Sequence, residues 1–225
     1  MTEPQKPLII VNFKAYSEIE GMKALEMAKI CASVSDESGI CIAVCPPAAE
    51  LSYVARSVDI PVFSQNADPH TSGAFTGWIT PPMIKAAGAA GTLINHAEHR
   101  MTVRGIATVT ELCKGCGLKA VICADTAGSA AEIAAFVPDM IAVEPPELIG
   151  GSVSVTDADP KIIEDTVNAV RAVSRNVPVL CGAGVKTGKD VAKALSLGAS
   201  GVLLASGVIR SKDPRATLSD LVRFI

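Results

Sequence analysis

The sequence predicts an α/β protein: eight parallel strands, each followed by a helix, closed into a (β/α)8 barrel. Three observations carry this. Short β-rich apolar runs alternate with helical patterns along the whole length. The hydrophobic share is 49% and the aromatic share only 4%, with Ala, Val, Ile and Gly prominent, which suits strands buried on both faces under close-packed helices. Eight such units in 225 residues repeat at about 28 residues, which fits a closed barrel of small size.

Taken in order, the first strand is Leu8 to Asn12, and Ser17 with Glu20 three residues later reads as a capping box that opens a helix. The second and third strands are Ile40 to Cys45 and Pro61 to Gln65, and Thr80 before Pro81 starts the next helix. The fourth is Thr92 to Asn95, and the helix after it stops at Gly115 or Gly117. Ala120 to Ala124 and Met140 to Val143 follow as the fifth and sixth strands. Asp159 before a proline opens a helix whose Ile163, Val167 and Val170 share one face. The seventh strand, Pro178 to Cys181, leads to a helix start at Thr187 with Asp190. After the eighth, Gly201 to Leu204, Asp213 before Pro214 opens a last helix with Leu218, Leu221, Val222 and Ile225 on one side.

Strict alternation of strand and helix implies parallel strands joined by right-handed crossovers. An open doubly wound sheet is the competitor, but no G-x-G-x-x-G follows the first strand. No linker or low-complexity tract interrupts the pattern, so residues 1–225 are expected to be one domain.

A net charge of -3 offers no basic surface for phosphodiesters, and nucleic acid is not an expected partner. The apolar run Leu8 to Val11 is too short for a signal-peptide core, and no stretch is long enough to span a membrane. A soluble, cytoplasmic protein is expected. The seven cysteines lie mostly inside apolar segments, where they act as small hydrophobes in a reducing compartment. Cys113 and Cys116 form a C-x-x-C with no second ligand pair, and the three histidines show no metal-binding spacing, so no metal is expected.

Loops after the strands of a parallel barrel share one mouth, where catalytic groups sit. Unusual polar residues collect there: Asn12 and Lys14 after the first strand, Gln65 and Asn66 after the third, Asn95 and His96 after the fourth, Glu144 after the sixth. Asn12 and Lys14 are two apart, so extended chain would point both the same way. Singly, each has an ordinary reading: a solvated lysine, a turn-forming asparagine, a core histidine, a helix-starting acid. Pro145 and Pro146 weaken the last, because they remove the backbone donors that such an acid would cap. The coincidence of a base, an imidazole and an ammonium at one end favours a site. "CGAGVKTG" (181–188) and "LLASGVI" (203–209) follow the last two strands, where glycine-rich loops let backbone N–H groups approach a phosphate.

"VNFK" at 11–14, "INHAEHR" at 94–100 and "VEPPELIGG" at 143–151 resemble the three catalytic segments of the triosephosphate isomerase family, in its short archaeal form. The resemblance implies a TIM barrel that interconverts dihydroxyacetone phosphate and glyceraldehyde 3-phosphate without a cofactor. It makes Glu144 the base, His96 the neutral electrophile, Lys14 the positive charge and Asn12 the residue that orients the substrate oxygens, with Glu98 supporting the lysine. Phe13 falls within the first matching segment and is expected beside the substrate. Ile149 and Gly150 at the tip of a lid, Gly184, and Ala205 with Ser206 would bind the phosphate, mostly through backbone N–H groups. "GAFTGW" (73–78) resembles a loop that reaches into a neighbouring subunit, and the archaeal likeness favours a homotetramer over a dimer.

Several positions depart from the family pattern: Ala97 where serine is common, His99 where arginine is usual, a Gly150-Gly151-Ser152 hinge, Ala205-Ser206 in place of two glycines, and Trp78. A sugar-phosphate epimerase would want a metal or a second carboxylate. A barrel that binds without catalysis would be favoured by loss of Lys14, His96 or Glu144, all of which are present.

Overall fold

The computed structural model describes residues 7–145 and 161–225. Among them, eight parallel strands form one sheet: β1 (Leu8–Asn12), β2 (Cys41–Cys45), β3 (Phe63–Ser64), β4 (Gly91–Ile94), β5 (Lys119–Ala124), β6 (Met140–Val143), β7 (Val179–Cys181) and β8 (Gly201–Leu204). Their order, β2-β1-β8-β7-β6-β5-β4-β3, rolls the sheet until β2 and β3 face each other. At this seam the ladder thins to one bridge, Val44 to Val62, with the Val44 N–H donating to the Pro61 carbonyl at 3.1 Å. The barrel is therefore nearly closed. Pro61 has no N–H to extend the ladder, and β3 shrinks to two residues where the sequence predicts Pro61 to Gln65.

Nine helices alternate with the strands among the described residues: α1 (Met22–Ser38), α2 (Leu51–Ala55), α3 (Pro81–Ala86), α4 (Val103–Cys116), α5 (Ala127–Ala134), α6 (Lys161–Val173), α7 (Gly188–Ser196), α8 (Ser206–Ile209) and α9 (Pro214–Val222). None is long and apolar enough to cross a membrane.

Side-chain alternation divides the core in two. Ile10, Ala43, Cys45, Phe63, Leu93, Val121, Cys123, Ala142, Leu180 and Leu203 form one cluster, with a contribution from every strand, and fill the barrel interior. Their neighbours Ile9, Val11, Ile42, Val44, Ile94, Ile122, Ile141, Val179 and Val202 face the helices, where Ile163, Val167 and Val170 of α6 and Leu218 and Leu221 of α9 meet them. Each large aliphatic side chain buried in this way contributes about 1.5–3 kcal/mol relative to exposure.

The predicted helix starts form where their donors exist. Thr187 and Asp190 cap α7 reciprocally, the Asp190 carboxylate accepting the Thr187 N–H at 2.8 Å and the Lys186 N–H at 3.1 Å. Asp213 caps α9 by accepting the Ala216 N–H at 2.9 Å; such caps contribute about 1 kcal/mol. Gly117, left-handed at φ 64°, ends α4, and Gly115 lies within it. Two starts differ. Ser17 opens only a 3-10 turn (Ser17–Ile19); Gly21 at φ 60° breaks the chain, and α1 begins at Met22. Thr80 precedes α3, but its buried hydroxyl has no partner among the described residues, since Pro81 and Pro82 remove nearby donors. Asp159 lies outside the described residues.

Candidate active site

Extending the inward parity of the strands past their ends locates half of the site. Ile10 leads to Asn12, Ala142 to Glu144, Leu180 to Gly182 and Leu203 to Ala205. All four line one cavity of about 710 Å3, with Lys14, His96, Glu98, Gly184 and Ser206. The cavity opens at the C-terminal ends of the strands, the face on which barrel enzymes work.

Lys14 and His96 reach the cavity by a different route. Lys14 is not extended: its φ is 52°, in the left-handed region, and its N–H donates to Asn12 Oδ1 at 3.0 Å. A turn, not strand alternation, brings the two side chains together, which corrects the expectation drawn from their spacing. His96 is out of phase with inward-facing Leu93. Asn95, at φ 60°, reverses the chain between them. Asparagine tolerates that conformation better than most residues, and this one is held by donating to the Cys123 carbonyl and accepting the Met101 N–H, each at 2.9 Å.

The polar groups form a connected set. Lys14 Nζ lies 2.6 Å from Glu98 Oε1. The Glu98 N–H donates to His96 Nδ1 at 3.1 Å, so Nδ1 is an acceptor, which favours the tautomer with its proton on Nε2. Nε2 in turn lies 3.1 Å from Glu144 Oε1, and the Ala97 N–H reaches Glu144 Oε2 at 3.3 Å. His96 and Glu144 are both buried, Glu144 to 3% relative exposure. Beneath them, burial and then the Glu144 charge push the Cys123 thiol well above its ordinary range, so it remains protonated beside the carboxylate.

Gly184, at φ 72°, and the Ala205-Ser206 pair opening α8 also line the cavity. Phe13, expected beside the substrate, has the outward parity of Val11. It is fully buried between sheet and helices and does not line the cavity. Ile149, Gly150 and the Gly150-Gly151-Ser152 hinge lie outside the described residues.

Several lining residues escaped the sequence reading. Lys186 and Arg210 add positive charge to the wall, and Arg210 is held by Glu18 at 3.3 Å and stands 5.9 Å from the centre of the Tyr16 ring. Gly182 matters through what it lacks. A Cβ there would come within 2.7 Å of Glu144 Cγ and 2.8 Å of the Val143 carbonyl oxygen. Its position two residues past Leu180, in the inward parity, was the available signal.

A parallel α/β barrel with a polar cup at its strand ends, lined by glycine-bearing loops and a buried Glu144–His96 pair, has the architecture of the barrel enzymes. The family model described as triosephosphate isomerase matches residues 7–225. Proteins named triosephosphate isomerase from Methanosarcina acetivorans and Methanocaldococcus jannaschii are each 46% identical to this chain, over 219 and 218 residues. Each alignment covers 97% of this chain, with 99% and 100% of the respective relatives. The protein of that name from Methanopyrus kandleri is 45% identical over 218 residues, 96% of both chains. The chain belongs to the triosephosphate isomerase family, a family of isomerases.

Proposed function

We propose that this protein interconverts dihydroxyacetone phosphate and D-glyceraldehyde 3-phosphate, with Glu144 as base and His96 as electrophile. The observation that carries the reading is the buried pair itself, with His96 Nε2 standing 3.1 Å from Glu144 Oε1. The family is itself the general illustration of a glutamate base working beside a neutral histidine.

The carboxylate of Glu144 takes a proton from the carbon beside the ketone, while the His96 Nε2–H polarises the carbonyl oxygen. The electron pair of the broken C–H bond becomes the C=C bond of an enediolate, whose oxygens exchange a proton through His96. Glu144 then returns its proton to the neighbouring carbon, leaving the aldehyde. No redox partner enters the balance. Lys14 opposes the developing negative charge. Asn12, whose Oδ1 is engaged by the Lys14 N–H, presents its amide NH2 to a substrate oxygen. The main chain of Gly184, Ala205 and Ser206, with Ile149 and Gly150, grips the phosphate.

The same reading takes the barrel as closed, supported by the Val44–Val62 bridge, and residues 1–225 as one cytoplasmic domain. It also takes the protein as a homo-oligomer, a tetramer before a dimer. In support, loop 73–78 carries exposed Phe75 and Trp78, both packed on His70, and is pinched at its stem by Asp68 and Ile79. Light scattering at the monomer mass would remove this assembly. For the activity, purified protein is assayed in both directions with NADH-linked reporters; conversion of neither triose above background refutes the proposal.

A further inference from the structure

We propose that Gln65 is a positioning residue for Lys14: its side-chain amide fixes the left-handed turn that aims the ammonium into the cavity. The inference rests on the isomerase reading for its main assay.

Lys14 carries a Cβ in a backbone region that L-residues avoid unless their surroundings impose it. Its peptide is gripped from both sides. The N–H donates to Asn12 Oδ1 at 3.0 Å. The carbonyl accepts from Gln65 Nε2 at 2.9 Å, and the same Nε2 donates to the Cys45 carbonyl, also at 2.9 Å. Both acceptors are carbonyl oxygens, which fixes which end of the amide faces them. The Cys45 carbonyl in addition receives the Phe13 N–H at 3.0 Å. One amide thus joins the exit of β1 to the end of β2, and among the described residues no other donor reaches the Lys14 carbonyl.

The location explains why a side chain has this task. Gln65 directly follows β3, on the far side of the seam where the ladder is a single bridge. Backbone pairing there cannot hold the β1 exit against β3. The amide supplies a link at the catalytic end that the strands do not. Gln65 is committed to two main-chain carbonyls and acts on the chemistry through Lys14, so it is a positioning group and not a catalytic one.

The test is a double-mutant cycle. Gln65→Met keeps the length of the side chain and removes its donors. In the wild-type background it is expected to lower kcat/KM by about tenfold or more, divided between kcat and KM as Lys14→Met divides its own loss. In the Lys14→Met background the same change is expected to alter kcat/KM by less than about twofold. A general loosening of the fold would lower both backgrounds alike, and that result, or full activity of Gln65→Met, overturns the inference. Calorimetry with phosphoglycolate runs the same cycle without turnover. If wild type converts neither triose, the isomerase reading fails and the calorimetric cycle alone decides on Gln65. Should Gln65→Met fail to fold, Gln65→Asn, which keeps the amide but shortens its reach, carries the same cycle.

Discussion

His96 Nε2 lies 3.1 Å from Glu144 Oε1 while His96 Nδ1 accepts the Glu98 N–H at 3.1 Å. The second contact fixes the first, because a ring nitrogen that accepts a backbone N–H leaves its proton on the other nitrogen, facing the carboxylate. The β4 exit thereby selects which ring nitrogen of His96 faces the end of β6.

Shortening the base should separate chemistry from binding. Glu144→Asp withdraws the carboxylate by one methylene and leaves the Gly184 and Ala205 walls intact. We expect kcat to fall by roughly 10²- to 10³-fold with KM changed only a few-fold. Steady-state kinetics in both directions check this.

The imidazole can be removed without touching Gly184, Ala205 or Ser206. His96→Gln should reduce kcat by about 10²-fold or more, the size of loss typical of a donor to a developing oxyanion. Calorimetric affinity for phosphoglycolate should stay within a few-fold of wild type.

Gly182 tests the clearance beneath the base. Gly182→Ala would place a Cβ within 2.7 Å of Glu144 Cγ and 2.8 Å of the Val143 carbonyl oxygen. Crowding of this kind destabilises by about 1–3 kcal/mol and displaces the carboxylate, so both kcat and the thermal midpoint should drop. A variant with wild-type kcat would show that Glu144 tolerates the shift.

Much of the fold was legible because period-two alternation and strand–helix order are written locally. Strands β1, β6 and β8 fall where the sequence predicts them, and parity alone carries Asn12 and Glu144 inward. The turn at Lys14 and the exit of β4 at Asn95 were hidden for one physical reason, left-handed backbone at residues that carry a Cβ. The positive φ of Lys14 and Asn95 is hard to read locally, because beside the short-range contacts to Asn12 and Met101 each is held by a partner far away in sequence, Gln65 for Lys14 and Cys123 for Asn95. Phe13 lies inside a matching motif, whereas its own parity with Val11 points outward and its side chain is buried away from the cavity. Ser17 with Glu20 matched a capping box, but Gly21 interposed a break that the pattern does not register.

The thiols predict an alkaline weakness. Burial pushes Cys31, Cys113 and Cys181 up to about 12 and Cys45 higher still, whereas an unfolded thiol ionises near about 8.5. Below that pH both states hold the proton and stability is complete. Above it only the unfolded chain releases protons, so stability falls as pH climbs toward 12. Urea unfolding at neutral pH and at progressively alkaline pH should show the decline, and Cys31→Ala should reduce its slope. Under native conditions alkylation should reach the partly exposed Cys41 and Cys116 before the five buried thiols.

The central claim is that Glu144 carries the proton between the two carbons. Wild type and Glu144→Ala, each incubated with dihydroxyacetone phosphate in D2O and followed by proton NMR, test it directly. Wild type should form glyceraldehyde 3-phosphate with deuterium entering at the carbon that gains the proton, and Glu144→Ala should do neither at a measurable rate. Undiminished conversion and exchange by Glu144→Ala would contradict the account.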